Sequence, residues 1–223
     1  MESEFWIERW KQKQIGFHQD EINAHLQDFW PGLGIPEASR VFVPLCGKSS
    51  DMLWLRAQGY EVLGIELSPI AVEEFFTESQ LEPVVTQKGD FQRWETDGLV
   101  VLCGDFFKLK ADDLANCSGV FDRASLIALP PQMRPDYVRQ MISIMPKDVH
   151  MLLVTMEYLQ EEMQGPPFSV HEEEVRQHYQ QNHEVSLLFE KDIIAENPRF
   201  GEQGISQLLE KVYQLTPLAA HKD

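Results

Sequence analysis

The segment from Val43 to Ser49, with the sequence VPLCGKS, carries the residue types most suggestive of ligand chemistry in this chain. Gly47-Lys48-Ser49 matches the end of a phosphate-binding loop, but that motif requires a glycine five positions before Gly47, where this chain has Phe42. A dinucleotide-binding turn requires three glycines, and only Gly47 is present here. The segment therefore predicts a tight strand-to-helix turn that holds no pyrophosphate.

An acidic residue follows this turn at a spacing that suits ligand binding. Glu66 lies 19 residues after Gly47, at the end of the second predicted strand, where a carboxylate can accept hydrogen bonds from both hydroxyls of a ribose. The pattern indicates a nucleoside ligand without a pyrophosphate, which S-adenosylmethionine fits and which NAD and FAD do not. The alternative is that Glu66 only stabilises the next helix, at Ser68-Pro69, because carboxylates favour helix N-termini.

Other reactive side chains give weaker signals. Cys46 lies at the turn and could act as a nucleophile with His18 or His150 as its base, but no local signature supports this, and a small buried cysteine is the commoner case. The His171 segment, HEEEV, lacks the second histidine of a zinc-binding HExxH motif, so we expect no metal site. Three cysteines without a CxxC pair favour reduced thiols.

The elements that must position these residues alternate between strands and helices from Arg40 onward. We predict strands over 41–45, 60–66, 91–95, 99–103, 120–122, 150–156, 185–194 and 208–216. We predict helices over 3–14, 21–29 and 49–58, and further helices starting at Pro69, near Pro135 and after a capping box at Ser169–Glu172. Asp97-Gly98 predicts a hairpin between two of the strands. This order is typical of an α/β sandwich with a mostly parallel sheet, which binds ligands beyond the carboxyl ends of its strands.

Length and charge limit the possible partners. We expect one domain over residues 1–223, with an N-terminal helical arm over 1–35 and a Rossmann-like core over 40–216. The net charge of −17 disfavours nucleic acids and anionic membranes as partners, and it favours a monomer. The chain has no long apolar run and no signal-peptide pattern, so we expect a cytoplasmic location.

Several motifs, in order along nearly the whole chain, resemble the thiopurine S-methyltransferase family of class I S-adenosylmethionine-dependent methyltransferases. They are FHQ (17–19), RVFVPLCGK (40–48), GIELS (64–68), FFTE (75–78), FDRASL (121–126), GPPF (165–168) and LEKVYQLT (209–216). The resemblance implies a Rossmann-like α/β sandwich whose seven-stranded sheet is mostly parallel and ends in an antiparallel strand pair. It also implies S-adenosylmethionine as the cofactor and S-adenosylhomocysteine as its product.

The resemblance also assigns cofactor-binding positions. Trp10 would pack on the cofactor, the backbone of Leu45 would lie beside its methionine portion, Glu66 would bind the ribose, and Asp105 and Phe106 would border the adenine. Each residue has a plainer interpretation as well. Trp10 and Phe106 fit ordinary core packing, and Asp105 fits an exposed loop acid.

Three further residues are placed by the resemblance near the methyl acceptor. Arg123 would lie at the cofactor and substrate end of the pocket as the catalytic residue, and Phe17 and Arg199 would contact the acceptor. The loop around Arg199 departs from the family pattern. The plainer interpretations are an ion pair of Arg123 with Asp122 or Glu157, and a hydrophobic contact of Phe17 that closes the arm on the core.

The implied activity is transfer of a methyl group to the sulfur of an aromatic or heterocyclic thiol such as a thiopurine. An acidic thiol arrives largely as its thiolate, so no general base is required, and the apolar arm with Trp6, Trp10 and Phe17 would serve as a lid. One alternative is a methyltransferase for selenium or tellurium compounds in metalloid detoxification. Another is a nucleoside-binding module without catalytic activity.

Overall fold

The computed structural model describes residues 3–219, in which one mixed β-sheet lies between two layers of helices. The strands are β1 (Arg40–Val43), β2 (Glu61–Glu66), β3 (Val84–Lys88), β4 (Phe91–Thr96), β5 (Leu99–Cys103), β6 (Cys117–Arg123), β7 (His150–Glu157), β8 (His183–Asp192) and β9 (Leu209–Pro217). The α-helices are α1 (Ser3–Lys11), α2 (Ala24–Phe29), α3 (Asp51–Ala57), α4 (Pro69–Glu78), α5 (Ala111–Leu114), α6 (Arg134–Ile144), α7 (Glu172–Tyr179) and α8 (Pro198–Glu202).

The sheet has the order β3-β4-β5-β2-β1-β6-β7-β9-β8. Strands β5, β2, β1, β6 and β7 pair in parallel, and β9 runs antiparallel between β7 and β8. The α/β fold and the antiparallel C-terminal pair are thus confirmed, but the sheet has nine strands among the described residues instead of seven. Relative to the seven strands that the resemblance implies, β3 and β4 are additional and extend the β5 edge as an antiparallel hairpin. Only β3 lies outside the strands predicted from the sequence.

The hairpin signal at Asp97-Gly98 is confirmed, because Thr96 pairs with Leu99 across that two-residue turn and Gly98 has a φ of 69°. The capping box predicted at Ser169 is wrong. Helix α7 begins at Glu172, after an N-cap residue that makes no side-chain cap hydrogen bond. The Ser169 hydroxyl instead accepts from the amide of Tyr158 at 2.9 Å and donates to the Tyr158 carbonyl at 2.6 Å.

Successive side chains of the central strands point to opposite faces of the sheet, so the hydrophobic core has one part on each face. Val41 and Val43 of β1 pack into the layer that contains α3 and α4, whereas Phe42 packs into the layer that contains α6 and α7. Leu26 of α2 and the following Trp30 are fully buried in the first of these layers. The second half of the arm is therefore part of the main core. No helix among residues 3–219 is long and apolar enough to cross a membrane.

Candidate active site

A cavity of about 710 Å³ opens at the carboxyl ends of β1, β2 and β6. All eight residues proposed from the sequence line it, together with further arm and loop residues. They are Trp10, Phe17, Leu45, Glu66, Asp105, Phe106, Arg123 and Arg199. The location agrees with the rule that parallel sheets bind ligands beyond the carboxyl ends of their strands.

The turn after β1 has an unusual backbone. Leu45 has a φ of 44° and Gly47 a φ of 53°, so both adopt the left-handed conformation, which is uncommon for a leucine. The turn is fixed on both sides, because the Cys46 amide donates to the Ile65 carbonyl at 2.9 Å and the Ser125 hydroxyl donates to the Pro44 carbonyl at 2.9 Å. A strained backbone of this kind persists only where surrounding contacts enforce it, and it is common at functional sites.

Glu66 links this turn to the following helix. One carboxylate oxygen accepts from the Gly47 amide at 2.9 Å, and the other accepts from the Ser68 amide at 2.7 Å. The side chain is only 6% exposed, and burial raises its pKa while the backbone donors oppose that shift. A carboxylate has about four acceptor sites, so Glu66 keeps acceptor capacity for a ligand beyond its backbone donors. The contact expected from the helix-stabilising interpretation is therefore present. The carboxylate also lines the cavity, where it can accept from ribose hydroxyls.

Aromatic side chains of the arm cover the turn. Trp10 of α1 is buried, and its ring lies so close to Gly47 that a Cβ built there would be 3.3 Å from it. The Phe17 ring contacts Trp6 and Trp10 edge-on, with centroid distances of 5.6 Å and 5.8 Å. These three rings form one wall of the cavity, which joins α1 to the turn.

The loop after β5 contributes Asp105 and Phe106. The Asp105 carboxylate accepts from the Phe107 amide at 2.9 Å and so caps a short 3-10 helix, Phe106–Lys108. The Phe106 ring is buried, with its centroid 4.8 Å from that of Tyr137 in α6. Phe106 is thus a core residue that also lines the cavity, as its plainer interpretation predicted.

Arg123, at the end of β6, pairs with neither of the acids suggested from the sequence. Its Nε donates to a carboxylate oxygen of Asp51 at 3.0 Å. Asp122 instead accepts from the Tyr137 hydroxyl at 2.7 Å, and burial raises the pKa of Asp122 to about 6. Sequence reasoning missed Asp51, whose only signal is an acidic residue in the first turn of α3.

Two further arginines line the cavity with no carboxylate partner among residues 3–219. Arg199 donates to the Gly16 carbonyl at 2.7 Å, and its guanidinium lies over the Phe200 ring. Arg9, which sequence reasoning missed, has a buried Nε without a hydrogen-bond partner and lies over the Phe5 ring. Its position in α1, next to Trp10, is the signal that could have identified it.

Cys46 does not have the environment of a nucleophile. Its thiol is buried, and burial together with the nearby Glu66 carboxylate raises its pKa well above the usual value. The His18 pKa is lowered, mainly by burial and also by Lys48, so the histidine remains neutral near pH 7. A thiolate–imidazole pair is therefore disfavoured at this turn.

Comparison with known proteins gives a consistent result. Residues 1–217 match the family described as thiopurine S-methyltransferase. A thiopurine S-methyltransferase of Nitrosospira multiformis is 50% identical over 217 residues, covering 96% of this chain and 98% of that protein. One from Pseudomonas entomophila is 51% identical over 218 residues, covering 97% of this chain and all of that protein.

Solved structures agree at the level of the fold. A methyltransferase from Anabaena variabilis, described as S-adenosylmethionine-dependent, has a TM-score of 0.65 at 12% identity, covering 96% of this chain and 94% of its own. The 1,6-didemethyltoxoflavin-N1-methyltransferase of Burkholderia thailandensis, solved with S-adenosylhomocysteine, has a TM-score of 0.62 at 12% identity, covering 96% and 87%. The chain therefore belongs to the thiopurine S-methyltransferase family and is an S-adenosylmethionine-dependent methyltransferase.

Proposed function

We propose that this chain transfers a methyl group from S-adenosylmethionine to the sulfur of an aromatic or heterocyclic thiol such as a thiopurine. The observation that carries the proposal is that Glu66 and Arg123 line one cavity. The Trp10 ring also lines this cavity and packs against Gly47 in the turn after β1. A buried carboxylate suits ribose hydroxyls, and a guanidinium suits a negatively charged sulfur. The names and full-length similarity of the relatives support the same activity.

The residues present fit the cofactor. Glu66 would accept from the ribose hydroxyls, and Trp10 would pack on the cofactor. The Leu45 backbone would lie beside the methionine portion, and Asp105 and Phe106 would border the adenine. The fit rests on the chemistry of these groups, since a buried acid with unused lone pairs lies among apolar and aromatic walls. The bound cofactor would supply an electrophilic methyl group on its sulfonium.

The chain's own contribution would be positioning and exclusion of water. Arg123, and with it Arg199, would hold the negative charge of the acceptor, while Phe17 and the arm tryptophans would contact its ring. The buried Cys46 thiol and the neutral His18 leave no strong base at the turn, which suits an acceptor that arrives as a thiolate. We propose that α1 acts as the lid over this cavity.

One observation favours a second acceptor class. Three methionines, Met133, Met156 and Met163, line the cavity, and polarisable thioethers contact soft atoms well. Selenium or tellurium compounds are therefore the second candidate acceptors. For the chain as a whole we propose a monomer in the cytoplasm, which the net charge of −17 and three buried cysteines without disulfides support.

The test has two parts. Calorimetric titration with S-adenosylhomocysteine should give one site per chain. Methyl transfer should then be measured with 6-mercaptopurine and, in parallel, with an aromatic selenol. Turnover of the thiol supports the proposal, and turnover of the selenol alone supports the second candidate. Binding without turnover of either acceptor would contradict both candidate acceptor classes, whereas failure to bind S-adenosylhomocysteine would contradict the proposed cofactor site.

A further inference from the structure

Asp51 holds three groups that come from three different segments of the chain. One oxygen accepts from the backbone amide of Asn23 at 2.7 Å. The other accepts from the Ser49 hydroxyl at 2.7 Å and from Nε of Arg123 at 3.0 Å. The Asp51 side chain is only 2% exposed. The carboxylate therefore joins the arm, the turn after β1 and the end of β6 in one buried network.

Helix capping does not account for this arrangement. An acid in the first turn of a helix ordinarily bonds to the amides of that turn, or acts through the helix dipole alone. The Asp51 carboxylate is instead bound by groups outside α3. The Ser49 hydroxyl donates to this carboxylate and also accepts from the Asp51 amide, at 3.2 Å. Of the three donors only Arg123 is charged, and its bond to this buried carboxylate holds the guanidinium in place.

The contact with Arg123 fixes the guanidinium from its Nε side. An arginine side chain has several rotatable bonds, and a charge-assisted bond to Nε fixes the guanidinium position while leaving Nη N–H groups for other partners. Nη2 makes a single contact of 3.4 Å with the Ser49 hydroxyl, and no partner of Nη1 is found in the described part of the chain. Arg123 lines the cavity, so those N–H groups remain for a ligand.

The same carboxylate reaches the arm. The Asn23 amide bonds to Asp51, while the Asn23 side chain caps α2 by accepting from the Leu26 amide at 3.2 Å. We propose that Asp51 is a positioning residue that orients Arg123 toward the methyl acceptor and ties that orientation to the docking of the arm. The inference rests on the proposed function only for what Arg123 does with the acceptor.

Asp51→Asn tests the contact with Arg123. The amide oxygen can still accept from the Asn23 amide, but the NH2 group then faces the N–H of Arg123, so one side of the network breaks and the other remains. We expect kcat with 6-mercaptopurine to fall about 10- to 100-fold while the Kd of S-adenosylhomocysteine is unchanged. The ¹H–¹⁵N signal of the Arg123 Nε–H, assigned by its absence in Arg123→Lys, should lose its protection from exchange.

A double-mutant cycle distinguishes positioning from a general structural role. Asp51→Asn added to Arg123→Ala should cause no further fall in kcat, because the acid acts through the arginine. An unchanged kcat and an unchanged Nε–H signal in Asp51→Asn would overturn the proposal. A wild-type chain that methylates no thiol would refute the proposed function, and the Nε–H signal would still decide whether Asp51 holds Arg123.

A matched pair of substitutions at Asn23 tests the contact with the arm. Asn23 has a φ of −61°, which proline also adopts, so Asn23→Pro removes the amide hydrogen without forcing the φ angle. Asn23→Ala removes the same cap but keeps that hydrogen. We expect Asn23→Pro, relative to Asn23→Ala, to weaken S-adenosylhomocysteine binding and to shift the Arg123 Nε–H signal. Equal behaviour of the two variants would overturn the link to the arm.

Discussion

Glu66 is bonded to two backbone amides and still faces the cavity, so its substitution should affect both stability and binding. We expect Glu66→Ala to raise the Kd of S-adenosylhomocysteine about 100-fold, because two hydrogen bonds from the ribose to a carboxylate are lost. Calorimetry measures this change. Glu61→Ala, at the exposed start of the same strand, is the control and should bind normally. Normal binding by Glu66→Ala would rule out the ribose role.

Asp122 gives a prediction for the pH dependence of stability. Burial raises its folded-state pKa to about 6, above its unfolded value of 3.8. Asp122 therefore binds more protons in the folded state between these two values, and the contribution of this group to stability falls as pH rises through that range. Relative to Asp122→Asn, the wild type should lose about 3 kcal/mol of unfolding free energy between about pH 4 and about pH 7. Urea titrations at several pH values measure this difference.

Tyr137→Phe provides the control for that experiment. The Tyr137 hydroxyl donates to Asp122 and lowers its pKa, so removal of the hydroxyl should extend the loss of stability to higher pH. A wild-type curve parallel to that of Asp122→Asn would show that the acid titrates normally.

At the residue level, the α/β pattern and the spacing from Gly47 point to Glu66, whereas the other seven proposed residues follow from the family resemblance. All eight line one cavity, and their roles in it stay predictions. Asp51 and Arg9 were missed by both routes. Two of the three partners of Asp51 lie 28 and 72 residues away, and Arg9 is notable only because its Nε is buried without a partner. Neither fact is visible before the chain is folded.

At the scale of the element, two glycine substitutions distinguish the effect of backbone strain at the turn after β1 from the effect of contact with the Trp10 ring. Gly47→Ala places a methyl group 3.3 Å from the Trp10 ring and also forces alanine to a φ of 53°. Gly34→Ala requires a similar left-handed φ of 69° but meets nothing within 4 Å. Both variants should lose about 1 kcal/mol of stability, and only Gly47→Ala should weaken S-adenosylhomocysteine binding. Equal affinities in calorimetry would show that Trp10 does not depend on this glycine.

Helix α1 should respond to ligand more than the rest of the fold. It contacts the turn through the Trp10 ring, whereas α2 is anchored by the fully buried Leu26. We expect amide hydrogen exchange of residues 3–11 to slow when S-adenosylhomocysteine binds, while that of α6 stays unchanged. Equal exchange of α1 with and without ligand would contradict its role as a lid.

Prediction of elements succeeded for apolar runs and clear turn signals, and it missed the short helices α5 and α8, although each buries a side chain. β1 and β2 follow from their apolar runs, and the β4–β5 hairpin follows from Asp97-Gly98. β3 was missed because all five of its residues are exposed, so its sequence has no alternation to detect. Ser169 was misread because its hydroxyl has two possible roles, and tertiary packing at Tyr158 decides between them.

At the scale of the whole molecule, charge is the dominant property. The net charge of −17 on 223 residues opposes association of copies until salt screens it. We expect light scattering to give 25.8 kDa at an ionic strength of about 0.15 M. A mass twice as large, unchanged by added salt, would show a dimer built on contacts other than screened charges.

The exposed strand β3 has a consequence for the protein in concentrated solution. Its outer edge has no neighbouring strand among residues 3–219, and Val84 and Val85 are 68% and 44% exposed. An unpaired edge of this kind can template another extended chain, and repulsion between like charges is what keeps two such edges apart. Acidification toward the isoelectric point near 4.7 removes that repulsion, so turbidity and fibril growth should begin at this edge of the sheet while the cavity at the strand ends is still intact.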